Sequence, residues 1–216
     1  MQNRGMHLDH VIYAAGPSGL THEAKRLETL LGVKSIDGGL HPGFGTCIRL
    51  IPLLGGRYLE IVEVLDHPAA EKAPYGRAVR DRSLQGGGWL GWVVSVEDIT
   101  PFEERIGHKS MLGVRRFPDG RVLEWQQIGV KGLIADPQVP FFFHWNSDKS
   151  VLPSALPAKV GLEGIEIAGS KERVSDWLGQ DVPDDFDGVA ISFTSPSGYP
   201  GLLSATFSTP KGLVRI

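Results

Sequence analysis

Apolar and polar positions alternate in short runs along this chain, and one order of runs returns three times. Leu8-Asp9-His10-Val11-Ile12-Tyr13-Ala14 reads as a buried strand. Behind it Leu20, Ala24, Leu27 and Leu31 recur at helical spacing. Thr21 and Glu23 suit a helix start and Gly32 a left-handed stop, so a helix is predicted over 20–31. Two β-rich runs, 47–54 and 57–65, flank Gly55-Gly56 as a hairpin, with one more short strand expected near 33–36. Residues 66–87, with Pro68 and Pro74, read as a connection holding a short helix near 77–84.

The second round opens with Leu90-Gly91-Trp92-Val93-Val94-Ser95-Val96, which aligns with Leu8 to Ala14 and sets Trp92 against His10. Thr100-Pro101-Phe102-Glu103 has the form of a capping box with proline at the first helical position, and Gly107 closes the helix. Runs 111–117 and 121–130 form a hairpin around Pro118-Asp119-Gly120, and 140–145 adds a last strand. A linker with Pro153 and Pro157 leads to the third round. It comprises strand 162–168, a helix capped by Ser170 and stopped by Gly179, and strands 188–194 and 202–208. The openings lie too far apart for a solenoid, whose period is about 20–50 residues. The expected class is α+β, with two modules (7–65 and 88–146) in one unit over 7–146 and a third, degenerate module of βαββ type over 160–216.

Composition changes this picture little. Among 216 residues, 28 glycines and 15 prolines favour short elements and many turns. A net charge of −3 offers no footprint for nucleic acid. No apolar run approaches the roughly 20 residues of a membrane helix and no signal-peptide core is evident, so the cytoplasm is the expected compartment. Cys47 is the only cysteine, which rules out an internal disulfide and a cysteine-based zinc site. Any metal would be held by His, Asp or Glu.

Charge then singles out a few positions. Glu60 is the odd residue on a strand face shared with Tyr58, Val62 and Val64, and a carboxylate there must be paired or metal-bound. An ion pair with Arg49 or Arg57 is one solution. Aligning Tyr58-Leu59-Glu60 with Phe142-Phe143-His144 sets His144 at the Glu60 position, so His10, Glu60 and His144 form a candidate ligand set for zinc, iron, manganese or nickel. A hydrogen-bonded core histidine is the alternative for His144. His41, in the glycine-rich run His41-Pro42-Gly43-Phe44-Gly45-Thr46, is placed to approach a ligand. Walker, dinucleotide-binding, Gly-x-Ser-x-Gly and His-Glu-x-x-His motifs are missing from the sequence.

These stretches in order, together with Arg49-Leu50-Ile51-Pro52-Leu53, Gly56 to Ile61, Gly91-Trp92 and Pro140-Phe141-Phe142, resemble the glyoxalase-like domain of the vicinal oxygen chelate superfamily over about residues 7–146. The resemblance implies βαβββ modules paired into curved sheets around a divalent metal that polarises a substrate oxygen. It implies His10, Glu60 and His144 as ligands; with that site, Glu60 and His41 are the expected catalytic residues, and Trp92, Trp125 and Phe142 the expected walls of an apolar substrate pocket. Trp92 stands at a ligand position it cannot serve, and the third round has Gly164 there. Two functions follow as expectations: a metal-dependent small-molecule enzyme, or a metal-free protein that binds or sequesters a small molecule. Three modules leave one unpaired, to be packed within the chain or completed in a homodimer.

Overall fold

The computed structural model describes residues 5–117, 119–195 and 198–216. The opening run forms β1 (Met6–Ala14), followed by α1 (Leu20–Leu31), β2 (Ile36–His41), β3 (Thr46–Leu53) and β4 (Arg57–Val64). The strand expected near 33–36 starts at Ile36 instead, because Lys34 and Ser35 are held back against α1 by Glu28. The connection is more helical than predicted, with α2 (Pro68–Lys72) and α3 (Pro74–Leu84) each starting on a proline. Then come β5 (Gly88–Val96), α4 (Thr100–Ile106), β6 (Met111–Arg116), β7 (Val122–Ile128), the single turn α5 (Gly132–Ala135) and β8 (Phe141–Trp145). In the predicted β6–β7 turn, Pro118 lies outside the described residues.

The capping box at Thr100 does not form. Ile99 occupies the cap position, Thr100 is already helical, and its amide is satisfied by the Asp98 side chain at 2.9 Å. Glu103 instead accepts from the amide and hydroxyl of Ser110 and from Lys109. Glu28 does the same for Ser35 and Lys34. One device, a helical glutamate that pins the chain beyond a left-handed glycine (Gly32 or Gly107), thus recurs in both modules.

Strands β1 to β8 close into a barrel in the order β1-β4-β3-β2-β6-β7-β8-β5. The modules meet along β1 and β5, antiparallel from Met6 opposite Val96 to Ala14 opposite Gly88. On the far side β2 meets β6 at Leu40 and Arg116. That approach requires Gly39, since a Cβ there would lie 2.4 Å from the Arg116 carbonyl oxygen.

The barrel has two distinct faces. Ile12, Ile48, Leu50, Tyr58, Val62, Val93, Trp125, Phe141 and Phe143 fill its interior, together with Tyr75, Ala78 and Val79 of α3. Leu8, Val11, Leu59, Ile61, Trp92 and Phe142 face outward under α1, α4 and a second sheet. That sheet contains β9 (Gly161–Ala168), β10 (Asp185–Phe186), β11 (Val189–Thr194), β12 (Gly201–Thr209) and β13 (Gly212–Arg215), with α6 (Lys171–Leu178) between β9 and β10. Here β9 pairs parallel with β11 and antiparallel with β12, as β1 does with β4 and β5. Ser170 caps α6 and Gly179 ends it, as the sequence predicts.

Candidate functional site

Strand alternation sends every second side chain into the barrel, and an eight-stranded barrel is just wide enough for those side chains to fill. On β1 that face carries His10, on β4 Tyr58 and Glu60, on β6 Arg115, on β7 Trp125 and Gln127, and on β8 Phe141 and Phe143. His41 enters from the end of β2 and Phe44 from the loop after it. Gly113 lets the Trp125 indole lie flat on β6, since a Cβ there would stand 2.2 Å from the ring. The remaining space is about 10 Å³, roughly the room of one water.

Charged groups sit at the centre of this aromatic lining. Arg115, 1% exposed, donates from Nη2 to Glu60 Oε2 at 3.3 Å and from Nε to His41 Nε2 at 3.1 Å. Its guanidinium carbon stands 5.8 Å from the Trp125 ring centroid and 5.9 Å from that of Tyr58. Tyr75 donates its hydroxyl to Glu60 Oε1. Glu60 therefore pairs across the barrel rather than with Arg49, which binds Ser35, or Arg57, which binds Asp187. Arg115 Nη1 and the Tyr58 hydroxyl lack a hydrogen-bond partner among the described residues.

Beside them His10 stacks on Tyr58, ring centroids 4.3 Å apart and 16° between planes. Its Nδ1 lies 2.7 Å from Asp9 Oδ1, and Trp145 Nε1 donates to the other Asp9 oxygen at 2.8 Å. Burial pushes the Asp9 carboxyl up, but the His10 ring and the Trp145 N–H overcome it and hold the group below its ordinary value. His41 is driven well below the ordinary imidazole range by burial and by the Arg115 charge. A neutral His41 accepts the Arg115 Nε–H hydrogen bond at Nε2, so Nδ1 carries the hydrogen and donates to Thr46 Oγ1 at 3.2 Å.

The model of the glyoxalase-like domain matches residues 8–182 of this chain. The chain belongs to the glyoxalase-like domain family. A crystal structure of a hypothetical protein from Staphylococcus aureus has the same fold, with a TM-score of 0.73 at 14% identity over 97% of this chain and 98% of that one. Methylmalonyl-CoA epimerase from Mycobacterium tuberculosis is similar over 67% of this chain and 91% of its own, with a TM-score of 0.43 and 14% identity. No curated protein matches.

This glyoxalase-like barrel brings together His10, His41, Glu60 and Trp125, and leaves out three other expected residues. On β8 the inward residues are Phe141 and Phe143, so His144 points out, where it lines a groove of about 690 Å³ with His7 and Trp145 and sets Nδ1 3.2 Å from the Val96 carbonyl oxygen. The alignment that placed it beside Glu60 is one residue out of step, and one residue reverses the face. Phe142 is displaced for the same reason and packs on Phe102 and Trp177. Trp92 also faces out, donating to the Gln138 carbonyl at 3.1 Å and meeting Phe186 of the second sheet edge-on.

No three His, Cys, Asp or Glu side chains among the described residues are grouped to hold a metal ion. The donors explain this: both Glu60 oxygens are engaged by Arg115 and Tyr75, and His10 Nδ1 is turned to Asp9. The expected trio does not fit a divalent ion in this arrangement. Arg115, Tyr75 and Asp9 escape sequence reading. The only trace of Arg115 is its two-residue spacing from Gly113, which puts both on one face of β6.

Proposed function

We propose that the barrel interior takes up a small carbonyl compound without a metal, Arg115 holding its oxygen and His10 exchanging a proton at the neighbouring carbon. The observation that carries this reading is the unpartnered Nη1 of a buried arginine in the same cavity as a histidine whose Nδ1 is fixed by Asp9. A buried donor left unmade costs free energy that a ligand oxygen would recover. With Nδ1–H given to Asp9, His10 Nε2 is the free base. It takes a proton from the carbon beside the carbonyl; the C–H electron pair becomes the C=C bond of an enolate, whose oxygen charge faces the guanidinium. Return of the proton to either face of that carbon completes an exchange or an isomerisation. His41 positions Arg115 through Nε, and Glu60 and Tyr75 hold its other arm.

The test is solvent deuterium uptake, followed by proton NMR, into a panel of short 2-oxo acids. Uptake catalysed by the wild type, abolished in His10→Gln and reduced in Arg115→Met, is the expected result. Binding that depends on Arg115 with no uptake from any panel member would favour the second reading, sequestration alone. Metal analysis addresses the metal-dependent reading: a stoichiometric divalent ion in wild type that is lost in His10→Ala would overturn the metal-free proposal.

A further inference from the structure

Against the wall of the barrel lies a second cavity, of about 220 Å³. Phe44, Tyr75 and Gln127 line both it and the interior, so these three side chains form the partition between them. Phe44 and Tyr75 meet edge-on with centroids 5.6 Å apart; both rings also meet His41 edge-on, at 5.8 and 6.2 Å, and the Tyr75 hydroxyl donates to Glu60. The outer cavity has an apolar floor including Met111, Ile128 and Val130. Besides Tyr75, its titratable lining is Lys72, Lys131 and His108, with no carboxylate among the lining residues. Both lysines are exposed and form no ion pair among the described residues. Inside, the Arg115 charge is already balanced by Glu60. Any preference for a charged ligand therefore comes from the rim rather than the interior.

We infer that this outer cavity is the mouth of the interior site and that its ligand is an amphipathic organic anion. Its oxygen-bearing head passes between Phe44 and Tyr75 to Arg115, its apolar body lies along Met111, Ile128 and Val130, and a second, anionic end stays between Lys72 and Lys131. The inference rests on the reading of the interior given above. It is tested by titration calorimetry at low salt with linear dicarboxylates of about six to twelve carbons, each against the monocarboxylate of equal length. At the best length the diacid binds about threefold to tenfold more tightly, the size expected for exposed charge pairs. The Lys72→Gln/Lys131→Gln variant loses that advantage, and Arg115→Met weakens diacid and monoacid alike. An advantage that survives the lysine changes, or no advantage at any length, overturns the mouth while an Arg115 effect still upholds the interior site. No effect of Arg115→Met on either series overturns the interior site itself, and no binding by any member overturns the inference.

Discussion

The Glu60–Arg115 pair sets the terms at the scale of single residues. Two charges nearly withdrawn from water are worth keeping only as a pair, and removing one leaves the other exposed to the full cost of burial. Arg115→Met is expected to lower stability to urea by about 3–5 kcal/mol. Adding Glu60→Gln should restore most of that loss, because a neutral amide needs no counter-charge; losses that simply add would mean the pair is not coupled. Glu60 was legible in the sequence as an acid on an apolar face. Its partner was not, because Arg115 and Arg116 are chemically alike and only the register of β6 against β7 decides which one points inward. The same parity misplaced His144 and Phe142 by one step, and on β1 strict alternation would join His10 to Leu8 as well as Ile12, whereas a register shift between Leu8 and His10 turns Leu8 outward and leaves His10 facing in with Ile12.

Among the elements, the paired glutamate pins carry a measurable pH dependence. Burial pushes Glu28 up, but the Ser35 hydroxyl and amide and the Lys34 charge bring it down to about 2. Lys109 and the Ser110 hydroxyl and amide bring Glu103 to about 2 as well. A depressed folded-state value means stability fully present above the ordinary 4.5 and lost as the pH falls through 2. Melting temperatures followed by circular dichroism should therefore drop between pH 4.5 and 2, and drop less in Glu28→Gln/Glu103→Gln. Parallel curves for the two proteins would dismiss the pins as the source. Local chemistry explains which features of these helices were readable: left-handed stops at Gly32, Gly107 and Gly179 and the Ser170 cap need only their own residues. The Thr100 box failed because Glu103 found stronger donors beyond the helix, in Lys109 and Ser110.

On the scale of the whole molecule, recurrence of the opening run revealed the modules, and the α+β class followed. Closure did not, because β1 with β5 and β2 with β6 join stretches some 80 residues apart and no local pattern encodes such pairs. Trp92 looked like a pocket wall for this reason; it is the cement between the barrel and the second sheet, alongside Trp89, whose Nε1 donates to the Ile216 carbonyl at 2.9 Å. The two joins of the barrel are unequal. One runs the length of β1 and β5, while the other has its backbone pairing at Leu40 and Arg116 among the described residues, with Arg115 crossing it to His41 and Glu60. Continued past that pair, β2 would run into the His41–Gly45 loop and the start of β6, where the outer cavity opens instead. Mechanically this resembles a clamshell, with a broad hinge and a narrow latch, and the latch lies beside the outer cavity. Local opening costs least where the fewest bonds are made. Amides of β2 and β6 should therefore exchange with deuterated solvent well before those of β1 and β5, and equal protection on both sides would mean a rigid ring. Parting along that edge would open the filled interior at the cost of the Arg115 bonds to His41 and Glu60, while the β1–β5 hinge keeps His10 and Glu60 in register.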